Sequence, residues 1–209
     1  MNTFLNTLDH DRNVFATQYV YPVVSRRAGG VSVGINLNVN NACNWRCIYC
    51  QVPDLKRGKA GTIDLDVLRS ELQTLLKEIE FGTFFKDHVP PEFRRLNDVA
   101  LSGNGEPTSS PQLSEVIDVI KQSKLEILDK CRAKTVLITN GSLLHIGQNP
   151  SVLKKLSSQQ GEVWFKLDRV GQEARKIVND VNISTDRILK NLAISCGNCA
   201  TWIQSCLFN

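Results

Sequence analysis

The sequence predicts an α/β fold with a parallel sheet and helices packed outside it. Three observations carry this. Strand-like and helix-like segments alternate about five times along the chain, the pattern of successive β–α–β units. Polar, glycine-bearing turns follow the first three strands, so one sheet edge collects them. The 209 residues hold one sizeable core, but a complete eight-stranded β/α barrel takes about 250.

The elements follow in order. Residues 1–30 are weakly patterned and read as an N-terminal extension, ending in the loop Arg26-Arg27-Ala28-Gly29-Gly30; residues 31–209 read as the core. From Val31 to Val39, apolar Val31, Val33, Ile35, Leu37 and Val39 alternate with Ser32, Gly34, Asn36 and Asn38, the period of a strand. A three-cysteine cluster follows at once. It therefore sits at a strand's C-terminal end, the edge where β/α folds build their sites.

Asp64 to Glu80 predicts a helix, with Leu68, Leu72, Leu75, Leu76 and Ile79 on one stripe. Residues 81–95 hold Gly82, Pro90 and Pro91 and read as irregular. Asp98 to Leu101 is a short apolar strand entering the turn Ser102-Gly103-Asn104-Gly105-Glu106-Pro107-Thr108. Ser110-Pro111 reads as an N-cap with proline at the first helical position, continued by Leu113, Val116, Ile117 and Ile120. Thr135 to Thr139 is a buried-type strand closed by Asn140-Gly141, and Asn149-Pro150 opens another helix. Glu162 to Asp168 reads as a strand, Ser184 to Ser195 as a helix, and Thr201 to Phe208 as a last strand.

Composition excludes several classes. With 42% hydrophobic and 22% charged residues the chain is no disordered polymer, coiled coil or collagen. A net charge of +4 permits an anionic partner without demanding one. Asp9, Asp11 and Arg12 interrupt the N-terminus too early for a secretory signal. No stretch approaches the roughly 18 apolar residues of a membrane helix. The expectation is a cytoplasmic protein with no membrane partner. Seven cysteines in a reducing compartment, six of them clustered, point to metal or redox chemistry rather than disulfides.

Cys43, Cys47 and Cys50 form C-x3-C-x2-C. Three thiolates on one loop can converge on a single inorganic centre, zinc or iron–sulfur. A structural zinc site wants four protein ligands. Here the local set stops at three, so zinc needs a distant fourth ligand such as His88 or Cys131. A four-iron cluster on three cysteines leaves one iron open. The turn at Gly103–Glu106 suits the polar head of a small molecule, since glycines permit close approach.

With aromatic Tyr49 before the last cysteine, this spacing resembles the signature of the radical S-adenosylmethionine (SAM) superfamily. Ser25-Arg26-Arg27, Gly34-Ile35-Asn36-Leu37 and Ser102–Thr108 sharpen the likeness toward the branch of wyosine-type tRNA-modifying and related iron–sulfur oxidoreductases. The similarity covers roughly residues 20–208. It implies a partial (β/α)6-type barrel, of which this chain shows five strands. It implies that Cys43, Cys47 and Cys50 ligate a [4Fe–4S] cluster whose open iron chelates SAM, and that reduction cleaves SAM to methionine and a 5′-deoxyadenosyl radical. A one-electron reductase of flavodoxin or ferredoxin type is the implied partner. The family's Gly-Gly-Glu motif maps to Asn104-Gly105-Glu106, with asparagine in the first place, and Gly103 adjoins it. By the same resemblance Tyr49 neighbours adenine, Lys166 and Asp168 face the ribose or the carboxylate, and Asn140 is a further candidate. The substrate stays open, with RNA as one alternative and a zinc-binding interaction module as another.

Residues 1–42 contain no cysteine, which argues against a second cluster of the wyosine kind. The run Trp202–Phe208 reads as a strand with no closing helix, leaving an apolar edge. The chain is then either shorter than its relatives or covered there by a partner. Cys196-x2-Cys199, with Cys206 beyond, reads as a second metal site or redox pair, or as ordinary buried thiols. Lys56, Arg57 and Lys59 follow the cysteine loop, where they either face a phosphorylated or nucleic-acid partner or are merely solvated.

Overall fold

A computed structural model describes residue 5 and residues 17–25, 28–129 and 133–207. In chain order the elements are β1 (Val20–Ser25), β2 (Gly30–Ile35), the two-residue strands β3 (Ala42–Cys43) and β4 (Lys56–Arg57), α1 (Leu65–Glu80), α2 (Phe84–His88), β5 (Leu96–Leu101), α3 (Leu113–Ile127), β6 (Lys134–Thr139), α4 (Asn149–Ser158), β7 (Glu162–Lys166), α5 (Gln172–Asn179), α6 (Thr185–Asn198) and β8 (Ala200–Gln204). The main sheet runs β1-β2-β5-β6-β7-β8. β1 is antiparallel to β2, and the five strands from β2 to β8 are parallel to their neighbours.

Spatial order therefore follows chain order. α1 packs on α3, α3 on α4 and α4 on α6, a rim of helices around one side of the sheet. This is a partial β/α barrel, as the alternation predicts. Val33, Ile35, Val99, Leu101, Leu137, Val163 and Phe165 meet Leu68, Leu72, Leu76, Ile117 and Ile120 in one core. Residues between them on the strands point to the opposite face. On β2 and β5 the lining there is small or polar: Ser32, Gly34, Asp98 and Ala100. Ser32 donates to Asp98, the Tyr21 and Ser102 hydroxyls share a hydrogen bond at 2.9 Å, and a Cβ at Gly34 would lie 2.3 Å from the Tyr21 ring.

Local chemistry explains most boundaries. Asp64 caps α1, accepting from the amides of Asp66 and Val67. Ser184 caps α6 by accepting from Arg187, and Pro150 stands in the first turn of α4.

Several expectations are corrected. β2 ends at Ile35 because Asn36 and Asn38 turn to local bonds: Asn36 Oδ1 accepts from the Asn38 amide at 3.0 Å. α3 begins at Leu113 rather than at Pro111, and the Ser110 hydroxyl accepts a 3.3 Å bond from the Gln112 amide, outside the helix. The irregular stretch 81–95 contains α2 and a 3-10 turn at Pro91–Phe93. α5, which the sequence pattern does not announce, and β1, inside the weakly patterned N-terminal stretch, are additions. β7 stops at Lys166 and β8 at Gln204, so Asp168 and Cys206 both lie past their strands, on the carboxyl edge. Trp202 and Ile203 on β8 are more than half exposed. No helix among the described residues is long and apolar enough to cross a membrane.

Candidate functional site

The carboxyl edge of the sheet gathers four segments: the cysteine loop after β2, the turn after β5, the turn after β6 and the loop after β7. The cysteine loop is pinned at its base. β3 and β4 pair in parallel, and Gly58 and Lys56 donate back to the carbonyls of Cys43 and Asn41. At its far side the loop docks on the end of α5. The Arg46 amide donates to the Asn179 carbonyl at 3.1 Å and the Ile48 amide to the Val178 carbonyl at 2.9 Å. Helix ends leave such carbonyls without intrahelical partners, so the loop and the helix complete each other. Arg57 clamps the junction, donating to the carbonyls of Asn44 and Asp180 and pairing with the Asp180 carboxylate at 2.6 Å.

The turn after β5 is held from below. Glu106 is buried, and four donors converge on its carboxylate. The Thr108 amide and hydroxyl and the Thr139 hydroxyl reach Oε1 at 3.0, 2.5 and 2.6 Å, and the Asn140 amide reaches Oε2 at 2.7 Å. Burial raises its pKa, and these bonds work against the rise. Glu106 thus joins the β5 turn to the end of β6, which leaves Ser102–Gly105 as the half-exposed part of that turn. The two glycines in it serve the protein's own packing. Gly103 has φ +134, and a Cβ there would lie 2.5 Å from Asn36 Oδ1. A Cβ on Gly105 would lie 2.2 Å from the Ala42 carbonyl oxygen. On the side a Cβ would occupy, the neighbours are Asn36 just after β2 and the stem of the cysteine loop. Asn104 donates to Asn41 Oδ1 at 2.6 Å, tying turn to loop again.

Asn140 links β6 to the same loop. Its side-chain amide donates to Asn44 Oδ1 at 2.9 Å, and Asn44 donates to the Ser142 hydroxyl at 2.8 Å. Past β7, the Lys166 ammonium lies 4.7 Å from the centroid of the Tyr49 ring. The Tyr49 hydroxyl donates to Asp168 Oδ2, which also accepts from Asn179 Nδ2 at 2.7 Å. Asp168 Oδ1 accepts from the Cys206 amide at 2.9 Å. Burial first, then the bond to Asp168, pushes the Tyr49 phenol far up, so it stays a donor. Every site residue expected from sequence thus lies on this edge. Asn36, Asn38, Asn44 and Asn179 brace the site and were missed. Single asparagines carry no periodic signal, and only Asn36 and Asn38 follow a recognisable strand.

The donor set fits a thiolate-bound cluster. Cys43, Cys47 and Cys50 are free thiols on one loop. Burial pushes the Cys43 thiol up to about 11, with repulsion from Glu106, Cys47 and Cys50 adding to it. Two N–H groups already point at sulfur: the Trp45 amide at Cys43, 3.5 Å, and Asn179 Nδ2 at Cys47, 3.3 Å. Such bonds accompany cluster ligation. Among the described residues no group of three histidine, cysteine or acidic side chains is placed to hold a metal ion. Cys131 lies outside the described residues, and His88 ends α2, below the amino end of β5.

Cys199 and Cys206 lie at opposite ends of β8. Cys199 is buried at the amino end and donates to the Gly161 carbonyl at 3.4 Å. Among the basic groups, Arg94 and Arg95 donate to the carbonyls of Val89 and Gly29 and Lys155 pairs with Asp118. With Arg57 they are used internally; Arg26 and Arg27 lie outside the described residues.

Residues 37–198 match the radical SAM superfamily. A UPF0026 protein of Helicobacter pylori is 30% identical over 175 residues, covering 81% of this chain and 50% of the relative. The tRNA-2-methylthio-N(6)-dimethylallyladenosine synthase of the same species is 25% identical over 198 residues, covering 87% and 41%. The chain spans about half the length of these curated relatives. Among solved structures, TYW1 with a lysine-pyruvate adduct bound superposes with TM-score 0.54 at 19% identity, covering 94% of this chain and 60% of that one. Native anSMEcpe with bound AdoMet gives 0.56 at 21%, covering 83% and 44%. At these identities the two likenesses show the fold.

Proposed function

Because the chain belongs to the radical SAM superfamily, we propose that it is a radical SAM enzyme whose Cys43, Cys47 and Cys50 hold a [4Fe–4S] cluster. One observation carries the reading: three free thiols lie on one braced loop that is tied to the turn after β5 and to the segment after β7 at a single sheet edge. When bound, the cluster and SAM supply one-electron cleavage of SAM to methionine and a 5′-deoxyadenosyl radical, a hydrogen-atom abstractor.

The chain's own residues bind, orient and shield. The half-exposed backbone of Gly103, Asn104 and Gly105 is offered to the amino and carboxylate groups of methionine. The Glu106 carboxylate, already saturated with donors, acts by holding that backbone still. Lys166 supplies the positive charge beside the site, and Asn140 and Asp168 supply its polar rim. Tyr49 gives an aromatic face next to Lys166 and keeps water from the inner side of the loop. Electrons come from a one-electron reductase of flavodoxin or ferredoxin type, at the half-exposed outer face of the cysteine loop.

The test is anaerobic reconstitution with iron and sulfide, followed by dithionite and SAM, with 5′-deoxyadenosine as the readout. Its appearance in the wild type and loss in Cys50→Ala supports the reading. A chain that takes up no iron under these conditions refutes it.

A further inference from the structure

We propose that Asn179 is a positioning residue for Cys47: its carboxamide, aimed by Asp168, holds the sulfur in place and sets how readily the bound centre accepts an electron. This rests on the cluster reading above. Asn179 closes α5, 132 residues from Cys47, and is fully buried. Its two side-chain hydrogens have two acceptors, Asp168 Oδ2 at 2.7 Å and Cys47 Sγ at 3.3 Å. Its Oδ1 accepts nothing, although a buried carbonyl oxygen without a donor is costly. The cost shows which orientation is enforced. Reversing the amide would satisfy nothing at Asp168, because a carboxylate accepts only. Asp168 is itself fixed by Tyr49 from the cysteine loop and by the Cys206 amide. The carboxylate therefore locks one face of the carboxamide, and the other N–H has only the sulfur to meet.

The backbone repeats the arrangement. The carbonyls of Val178 and Asn179 receive the amides of Ile48 and Arg46 on either side of Cys47. The end of α5 grips the loop by main chain and donates to its central sulfur by side chain. A hydrogen bond to a ligating sulfur offsets negative charge, so it favours the reduced centre and raises the potential.

The experiment has two arms. In the iron-free protein, amide hydrogen exchange of residues 45–50 is compared between wild type and Asn179→Leu, a variant of similar volume. Exchange is expected to rise about fivefold, the equivalent of one lost hydrogen bond. In the reconstituted protein, the midpoint potential is measured for wild type, Asn179→Leu and Asn179→Ala, which remove the N–H donor without changing the charge. Both variants are expected to shift it negative. Unchanged exchange or an unchanged potential overturns the proposal. If Asn179→Leu does not fold, Asn179→Ala decides: a negative shift supports the proposal and none overturns it. A wild type that takes up no iron refutes the functional reading, while the exchange arm still reports on the grip.

Discussion

Replacing Glu106 separates a structural role from a ligand-binding one. The carboxylate is buried and accepts four hydrogen bonds. Two donors, the hydroxyls of Thr108 and Thr139, can rotate to other acceptors. The other two, the amides of Thr108 and Asn140, are fixed by the backbone. Glu106→Ala strands both amides, and at about 1–3 kcal/mol per buried unpaired group the loss is about 2–6 kcal/mol. Glu106→Gln keeps Oε1 with its three donors and sets an NH2 against the Asn140 amide, a loss of about 1–3 kcal/mol. For a chain of this length each kcal/mol lowers Tm by about 2–4 °C. Thermal melts of the iron-free protein read both variants, with the order wild type, Gln, Ala expected. A Tm within about 1 °C of wild type in both variants, paired with a loss of SAM binding, would refute the reasoning. It would mean that the carboxylate meets the ligand rather than the fold.

Four further outcomes are expected. Gly105→Ala drives a methyl into the Ala42 carbonyl, and the strain, about 1–3 kcal/mol, should lower both Tm and iron uptake. Cys43→Ala, Cys47→Ala and Cys50→Ala should each abolish iron retention in an iron and sulfide assay, whereas Cys196→Ala, an exposed thiol on α6, should retain it. Asp64→Ala removes the α1 cap and should lower stability by about 1 kcal/mol in a denaturant titration, with iron content unchanged. Arg175 is buried and donates to the carbonyls of Arg169, Val170 and Ile183; Arg175→Leu strands those acceptors and should cost about 3 kcal/mol in the same titration.

Helices were legible where an apolar stripe and a capping residue coincide, as in α1, where Asp64 precedes Leu68, Leu72 and Leu76. α5 was not, because its eight residues bury mainly the charged Arg175 and the polar Asn179 with Val178. β1 was hidden because Tyr21, Pro22 and Val23 show no alternation. Strand ends were overrun wherever an alternating pattern outlasts its ladder. Leu37 is buried like a strand residue, yet the chain there is held by asparagine side chains.

The sequence by itself determined the alternation of strands and helices, the single loop carrying three thiols and the edge on which that loop stands. Those follow from interactions between residues close in the chain, whose signature is a period or a spacing. Only the tertiary structure decided how the loop is held. Glu106 reaches Thr139 and Asn140, Tyr49 reaches Asp168, and Asn179 reaches Cys47. These partners lie tens to more than a hundred residues apart, and each pair meets because parallel strands in sequential order carry every following loop to the same edge. A polar side chain that bonds across such a distance leaves no period behind it, so its partner is set by the fold.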